Sequence, residues 1–355
     1  MSKYLSSRLA ALDAYTPGEQ PRDMQYIKLN TNESPFPPSP LVIEKVSEAE
    51  VSRLNLYPDP EATVLRRKLA DFYGLSPENV FLSNGSDDIL NFAFMAFCDK
   101  EHGAAFADIT YGFYPVYGDL YGVDCKVLPL NPDFTLNPSD YHNQNRMIVI
   151  ANPNAPTGLA ISESDIRGIL ESNPDNVVLI DEAYVDFGGR SVYPLIKEYS
   201  NLLVVQTYSK SRSMAGARLG FALGCPELIS DLNLIKYSTN PYNINRLTLI
   251  AGEAAIDSND YFVDNSKKII EAREYTAAAL RELGFTVTDS KANFLFAKSP
   301  KIGGEELYLE LKKRGILVRH FSKERIKDYN RITVGTMDQM KKLIEAVTGI
   351  LKAAS

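Results

Sequence analysis

The stretch Thr207–Gly220, which reads TYSKSRSMAGARLG, is the part of the sequence that decides the fold. It begins where the apolar run Leu202–Val205 ends, and such a run is typical of a strand buried on both faces of a sheet. Lys210 lies just past that strand among hydroxyl side chains, and Arg218 follows a run of small residues. Because partial burial favours the neutral, nucleophilic amine of a lysine, the stretch predicts a ligand site at a strand end.

Apolar segments that resemble strands alternate with helical patterns through much of the chain. Six strands are predicted at 80–82, 104–107, 147–150, 177–180, 202–206 and 220–223. This alternation indicates an α/β fold with a large domain, in which a mixed, mostly parallel central sheet is covered by helices on both faces. The pattern changes after about Asn245, where a long helical stretch and short strands predict a smaller α+β domain.

The predicted organisation has three parts. Residues 1–36 form a proline-rich arm that packs with the small domain, residues 37–250 form the large ligand-binding domain, and residues 251–355 form the small C-terminal domain. The arm contains apolar side chains such as Tyr26 and Phe36, and these favour wrapping over the protein rather than disorder.

Composition and absent motifs disfavour several classes of function and site. The 355 residues carry a net charge of −7, which disfavours a nucleic-acid surface. No signal-peptide pattern and no apolar run long enough to span a membrane is present, so the cytoplasm is the expected compartment. Three scattered cysteines and three scattered histidines indicate neither a disulfide framework nor a metal site. The chain also lacks GxGxxG, a P-loop, HExxH and GxSxG, so acid–base work falls to Lys, Asp, Tyr or Cys.

Four polar segments each follow a predicted strand, where ligands of α/β sheets gather. They are LSNGSD at 82–87, ANPNAPTG at 151–158, VLIDEAY at 178–184 and the opening stretch. Each of the first three also has a purely structural interpretation. The first would cap a helix, and the second would be a tight connection between elements. In the third, Asp181 would cap a helix and Tyr184 would lie in the core. Taken together, they supply an imine-forming lysine, an anion site with Arg218 and a buried carboxylate for a cationic ring nitrogen. Those are the requirements of pyridoxal phosphate.

These segments, together with DITYGFYPVYG at 108–118, resemble the fold type I pyridoxal-phosphate aminotransferases of class I/II. Within that group the chain is most similar to the histidinol-phosphate aminotransferases. That similarity rests on AYTPG at 14–18, LNTNESP at 29–35, YPDP at 57–60, PYNIN at 241–245 and RITVGT at 331–336.

The resemblance implies a role for each matching residue. Lys210 would bind the cofactor covalently and carry the proton, Asp181 would pair with the ring nitrogen, and Tyr184 would bond the phenolic oxygen. The other residues implied in cofactor binding are Gly85, Ser86, Asp87, Tyr111, Thr207, Ser209, Arg218, and Tyr57 from the neighbouring subunit of a homodimer. The residues implied in substrate binding are Tyr15, Asn32, Tyr242, Arg319 and Arg331.

One position departs from the family pattern. The family usually has asparagine directly before Pro-Thr-Gly, where it bonds the phenolic oxygen, whereas this chain has Ala155. We expect Asn154 to substitute for it, or Tyr184 to act alone. A lost hydrogen bond here would alter the pH optimum without abolishing activity.

The resemblance implies transfer of an amino group from glutamate to imidazole-acetol phosphate, which gives histidinol phosphate and 2-oxoglutarate. Aromatic amino-acid aminotransferases and threonine-phosphate decarboxylases use the same cofactor chemistry and are alternatives. A non-catalytic binding protein is disfavoured because it would not need Lys210, Asp181 and Arg218 together. A nicotinamide oxidoreductase is disfavoured by the missing glycine fingerprint.

Overall fold

The computed structural model describes residue 9 and residues 12–353, so the first part of the predicted arm (residues 1–8, 10 and 11) lies outside it. The strands are β1 (Ile27–Lys28), β2 (Val80–Ser83), β3 (Ala104–Ala107), β4 (Cys125–Leu128), β5 (Met147–Ala151), β6 (Val178–Asp181), β7 (Leu202–Thr207), β8 (Gly220–Gly224), β9 (Thr286–Val287), β10 (Phe294–Lys298), β11 (Ile316–Leu317), β12 (Arg319–His320) and β13 (Tyr329–Thr333). The helices are α1 (Pro40–Lys45), α2 (Glu48–Val51), α3 (Thr63–Tyr73), α4 (Ser86–Phe97), α5 (Phe113–Tyr121), α6 (Glu163–Ser172), α7 (Pro226–Thr239), α8 (Arg246–Asp257), α9 (Asn259–Glu282), α10 (Gly304–Lys313) and α11 (Met337–Ala353).

The largest sheet has seven strands in the order β2-β8-β7-β6-β5-β3-β4. Strands β7, β6, β5, β3 and β4 are parallel, and β8 runs antiparallel to both of its neighbours, β2 and β7. The carboxyl ends of β5, β6 and β7 therefore lie side by side, with Ala151 opposite Asp181 and Asp181 opposite Val205. This edge of the sheet is where a ligand is expected.

Both faces of this sheet are buried, which explains why its strands read as continuous apolar runs. Successive side chains of a strand point to opposite faces. Ile180 and Val204 accordingly belong to one hydrophobic cluster, while Leu179 and Leu203 belong to the cluster on the other face. The expected α/β class with a mixed, mostly parallel sheet is confirmed.

A second, four-stranded antiparallel sheet, β12-β13-β10-β9, forms a separate hydrophobic cluster with α9, α10 and α11. The arm joins this cluster, because β1 pairs with β11 and the buried side chain of Leu29 lies within it. Helix α8 packs instead against α1 and α3, which belong with the large sheet. Helix α9 joins the two parts, because its Phe262 lies in a hydrophobic cluster of the large sheet and its Ile269 lies in the cluster of the second sheet. The division into residues 1–36, 37–250 and 251–355 stays a prediction.

Strand β4 was not expected from the sequence. It lies at the edge of the large sheet, and its central residues Lys126 and Val127 are exposed, so its pattern lacks the apolar run of the other strands. Within the described residues, no helix is long and apolar enough to cross a membrane.

Backbones approach closely where β8 begins. Gly220 lies opposite Ser83, and a β-carbon on Gly220 would lie 2.5 Å from the amide nitrogen of Ser86 and 2.6 Å from the carbonyl carbon of Gly85. Glycine is therefore required here by space, because the neighbouring atoms belong to the backbone and cannot rotate away.

We predict that Gly220→Ala will lower the free energy of unfolding by about 1–3 kcal/mol, because the added methyl group pushes β8 away from the start of α4. Urea unfolding of the purified protein measures this change. Gly216→Ala in the same segment is the matched control, since a β-carbon there meets no atom within 4 Å. Equal stability of the two variants would contradict the predicted clash.

Candidate active site

A cavity of about 330 Å³ lies at the carboxyl ends of the parallel strands. Ala151, Asp181 and Thr207 each end one of the adjacent strands β5, β6 and β7 and line its floor. Lys210 and Arg218, from the segment after β7, line its sides. The structure thus brings together the lysine, the carboxylate and the arginine that the sequence singled out.

Asp181 is a buried carboxylate with two hydrogen-bond donors. The Tyr114 hydroxyl donates to one carboxylate oxygen at 2.8 Å, and the backbone N–H of Ala183 donates to the other at 3.1 Å. Burial raises the pKa of Asp181 from 3.8 to about 6, although both donors and Lys210 act in the opposite direction. A cation placed beside this carboxylate would relieve much of the desolvation cost.

The amine of Lys210 is held only loosely. Its Nζ donates to the backbone carbonyl of Thr31 at 3.4 Å and lies 5.8 Å from the centre of the Tyr184 ring. Within the described part of the chain, it forms no ion pair with a carboxylate. A lysine that is partly buried and has no fixed anionic partner is free to act as a nucleophile.

Groups suited to an anion line another side of the cavity. Arg218 donates to Asp87 at 3.1 Å and to the Ser209 hydroxyl at 3.4 Å, and the Thr207 hydroxyl also donates to Ser209 at 3.0 Å. Helix α4 begins at Ser86 without a side-chain cap, so its first N–H groups remain available.

Glycine is needed at position 85, before this helix. Gly85 has φ +88°, and a β-carbon there would lie 2.7 Å from the Arg218 guanidinium. The absence of a side chain lets the cation approach the loop backbone. The two groups that would bind an anion, the arginine and the helix start, therefore lie together.

Tyr111 and Tyr184, both singled out in the sequence, line the cavity. The Tyr111 hydroxyl donates to Asp87 at 2.6 Å, and burial raises its pKa, with the charge of Asp87 acting in the same direction. The Tyr184 hydroxyl accepts a hydrogen bond from the Asn32 side-chain amide at 3.1 Å, and the Tyr184 ring packs edge-on against Phe294.

Asn154 and Ala155 face different sides of their loop. Ala155 lines the cavity beside Lys210, whereas Asn154 lines a neighbouring apolar cavity. The Asn154 amide donates to the Ile109 carbonyl at 2.9 Å and to Thr157 at 3.1 Å, and it accepts from Thr110 at 2.8 Å. All its polar atoms are thus engaged, and this geometry disfavours the expected substitution of Asn154 for the missing asparagine.

A wider cavity of about 620 Å³ continues from Lys210 toward the arm and the second sheet. Tyr15, Asn32, Arg319 and Arg331, which the resemblance implies in substrate binding, all line it. Arg331 donates to the Asn30 carbonyl at 3.0 Å, while its Nε is buried without a hydrogen-bond partner. Neither arginine forms an ion pair within residues 12–353, so both remain available to an anion.

Tyr57 and Tyr242 lie elsewhere. Their rings stack at 4.5 Å on the surface, where Tyr57 is 77% exposed and Tyr242 is 41% exposed. Neither lines the cavity around Lys210 or the wider cavity of the same chain. Any contact of these tyrosines with a cofactor or a substrate would have to be made in another copy of the chain.

Sequence reasoning missed three residues of this site. Tyr114 is the donor to Asp181, and Thr31 and Glu33 line the cavity from the arm. Tyr114 belongs to the aromatic segment at 108–118, but nothing in the spacing of residues shows that its hydroxyl reaches β6. Thr31 and Glu33 belong to LNTNESP, where only Asn32 was singled out.

We predict that Asp181→Asn will gain stability relative to the wild-type apoprotein as pH rises from about 4 to about 6. The folded wild type binds the Asp181 proton more tightly than the unfolded chain does, so the wild type loses stability across this range. A rise in pKa from 3.8 to about 6 corresponds to about 3 kcal/mol. Urea unfolding at several pH values measures the difference, and the exposed Asp175→Asn serves as control. A difference that does not change with pH would contradict the prediction.

Comparisons with known proteins identify the family of the chain. The family model "Aminotransferase class I and II" matches residues 24–347. The chain is 48% identical over 347 residues to a histidinol-phosphate aminotransferase of Clostridium acetobutylicum, with 98% of this chain and 99% of that protein covered. It is 50% identical over 353 residues to a protein of the same name from Brachyspira hyodysenteriae, with 99% and 100% covered.

A solved structure of histidinol-phosphate aminotransferase from Sinorhizobium meliloti in complex with pyridoxal-5'-phosphate has the same fold, with a TM-score of 0.83. The alignment covers 93% of this chain and 92% of that one at 22% identity. The family match spans both the large sheet and the second sheet. The chain therefore belongs to the class I and II aminotransferases.

Proposed function

We propose that this aminotransferase uses pyridoxal phosphate to move an amino group from glutamate to imidazole-acetol phosphate, and so makes histidinol phosphate. Support for the substrate comes from the full-length relatives that carry this name at 48% and 50% identity. The observation that carries the proposal is the pair Arg319 and Arg331. They lie side by side on β12 and β13, in a cavity that opens onto Lys210. Within the described residues they donate hydrogen bonds only to backbone carbonyls and form no ion pair.

The residues around Lys210 fit pyridoxal phosphate. An amine, a deeply placed carboxylate and an anion site share one cavity, and glycine at position 85 keeps the loop backbone close to the Arg218 guanidinium. The cofactor supplies an aldehyde that captures amino groups and a ring that accepts electrons. The remaining chemistry falls to the side chains of this chain.

Lys210 would hold the cofactor and then move a proton. Its amine would be the nucleophile for covalent attachment, and the free amine would act as the general base. The Thr31 carbonyl, its only hydrogen-bond partner in the described structure, is a weak tether. The amine can therefore swing between the two tasks.

Asp181 would hold the ring nitrogen of the cofactor in its protonated, cationic form. Its burial makes an unpaired charge unfavourable, so a ring N–H⁺ is the partner that this carboxylate requires. The donors Tyr114 and Ala183 fix its orientation. Removing the negative charge would weaken the electron-accepting power of the ring.

The cofactor's phosphate would bind Arg218, the hydroxyls of Ser86, Thr207 and Ser209, and the N–H groups at Gly85 and the start of α4. Asp87 orients Arg218 and Tyr111, whose ring would stack on the cofactor. The substrate phosphate or the glutamate carboxylate would bind Arg319 and Arg331, with Tyr15 and Asn32 lining the same cavity.

We also propose a cytoplasmic homodimer with shared active sites. Exposed apolar side chains lie just before the YPDP segment at 57–60. The exposed fraction is 53% for Leu54 and 52% for Leu56, and Tyr57 follows them in the chain. Such a patch supports burial against a second copy. Tyr57 would then reach the partner's cofactor phosphate, and Tyr242 the partner's substrate.

We predict that histidinol phosphate will convert the cofactor of the purified holoenzyme to its amine form faster than tyrosine, phenylalanine or threonine phosphate does. Each donor is added singly without acceptor, and the loss of visible absorbance is followed in a stopped-flow instrument. Fastest conversion by an aromatic amino acid would overturn the substrate, and decarboxylation of threonine phosphate would favour the alternative reaction. Absence of any visible band would overturn the cofactor itself.

We predict that mixing Tyr57→Phe with Lys210→Ala chains will restore native cofactor affinity to some sites. In a mixed dimer, one site combines intact Lys210 from one chain with intact Tyr57 from the other. Random pairing places about a quarter of all sites in this state. Cofactor titration before and after subunit exchange measures the recovery. No recovery after demonstrated exchange, or full affinity of a monomer, would contradict shared sites.

A further inference from the structure

Asn32 of the arm binds three separate parts of the molecule. Its backbone N–H donates to the Thr333 hydroxyl at 3.0 Å, and its backbone carbonyl accepts from the Asn293 side chain at 3.1 Å. Its side-chain oxygen accepts from the Thr333 hydroxyl at 2.9 Å, and its side-chain nitrogen donates to the Tyr184 hydroxyl at 3.1 Å. The residue is 1% exposed, so these bonds form away from solvent.

The backbone of Asn32 has an unfavourable conformation that the surrounding bonds maintain. Its φ of +55° lies in the left-handed region, which asparagine tolerates better than most residues at a cost of about 1 kcal/mol. Hydrogen bonds to Thr333 and Asn293 hold the residue there from two sides. In this conformation the Asn32 side chain bonds both Thr333 and Tyr184 and lines the wider cavity.

Thr333 determines which end of the Asn32 amide meets Tyr184. The Thr333 hydroxyl already accepts the Asn32 backbone N–H, and it needs an acceptor for its own proton. The Asn32 side-chain oxygen is that acceptor. If the amide were flipped, the proton of Thr333 would have no acceptor here, so the network assigns the NH₂ group to the side of Tyr184.

The direction of the Tyr184 proton follows from this assignment. A phenolic oxygen that accepts the Asn32 N–H at 3.1 Å cannot direct its own proton along the same line. Tyr184 lines the cavity beside Lys210 and Ala155, and Ala155 offers no polar side-chain atom. The hydroxyl proton is therefore available to a ligand in the cavity.

We propose that Asn32 is a positioning residue that makes Tyr184 a hydrogen-bond donor to the ligand, with Thr333 fixing the orientation of the Asn32 amide. This inference rests on the proposed function, in which Tyr184 meets the phenolic oxygen of pyridoxal phosphate. A donated hydrogen bond stabilises negative charge on that oxygen. Because Ala155 contributes no second donor, this role falls to the Asn32–Tyr184 pair.

The network also links parts of the fold that are far apart in sequence. Asn32 belongs to the arm, Thr333 ends β13, and Tyr184 follows β6 of the large sheet. The Thr333 backbone N–H donates to the Leu29 carbonyl, which anchors the arm three residues before Asn32. The hydrogen-bonding state of an active-site tyrosine thus depends on correct seating of the arm against the second sheet.

A double-mutant cycle tests the proposal. The four holoenzymes are wild type, Asn32→Asp, Tyr184→Phe and the double variant, and the measurement is the pH midpoint of the visible absorbance change of the bound cofactor. A carboxylate at position 32 can only accept, so it turns the Tyr184 proton away from the cavity. The introduced charge acts in both backgrounds and cancels in the comparison.

We expect Tyr184→Phe to raise the midpoint by about one pH unit, which is tenfold in proton affinity. Asn32→Asp should raise the midpoint by about one unit more in the presence of the Tyr184 hydroxyl than in its absence. Equal shifts by Asn32→Asp in both backgrounds would overturn the proposal, since a merely structural role does not require the hydroxyl.

Thr333→Val provides a second, neutral variant in case Asn32→Asp fails to fold. It keeps the side-chain shape but frees the Asn32 amide to flip, so we expect a smaller rise in the midpoint that vanishes in the Tyr184→Phe background. An unchanged midpoint in Thr333→Val with Tyr184 intact would contradict the assigned orientation. A wild-type protein with no visible band would instead refute the proposed cofactor, so the two failures are distinguishable.

Discussion

The burial of the Asp181 carboxylate is the constraint around which the site is arranged. A charge at the end of a fully buried strand is unfavourable unless donors and a cation compensate for lost hydration. Tyr114 and the Ala183 N–H supply part of that compensation, and Lys210 contributes from the segment that follows β7. The protein alone leaves the balance incomplete, because the pKa of Asp181 stays raised. The cationic ring of the proposed cofactor would supply the missing compensation.

The parallel sheet makes this arrangement possible. Strands β5, β6 and β7 end at one edge, so residues far apart in sequence reach one cavity without long side chains. The antiparallel strand β8 then returns the chain beside β2 and brings Gly220 against the backbone at Ser86. This close approach holds the start of α4 near Arg218. The anion site is therefore a product of backbone packing as much as of charge.

The arm and the second sheet complete the site from the opposite side. Tyr15, Asn32, Arg319 and Arg331 all come from these parts, whereas the lysine and the carboxylate come from the large sheet. In the proposed function, the substrate would therefore be bound by side chains of the arm and the second sheet, and the cofactor by those of the large sheet.

The amino-acid sequence by itself determined the α/β class, most of the large-sheet strands and the polar residues that follow them. Apolar runs and strand-end residues are local patterns that burial imposes directly. Only the tertiary structure decided which hydrogen-bond partners and surroundings those side chains have. It pairs Tyr114 with Asp181, turns the Asn154 amide away from the cavity, and leaves Tyr57 and Tyr242 on the surface. The physical reason is that a hydrogen bond depends on the distance between two atoms, and those atoms can belong to residues far apart in the chain. Asn32 and Thr333 are such a pair, and no local sequence pattern encodes the distance between them.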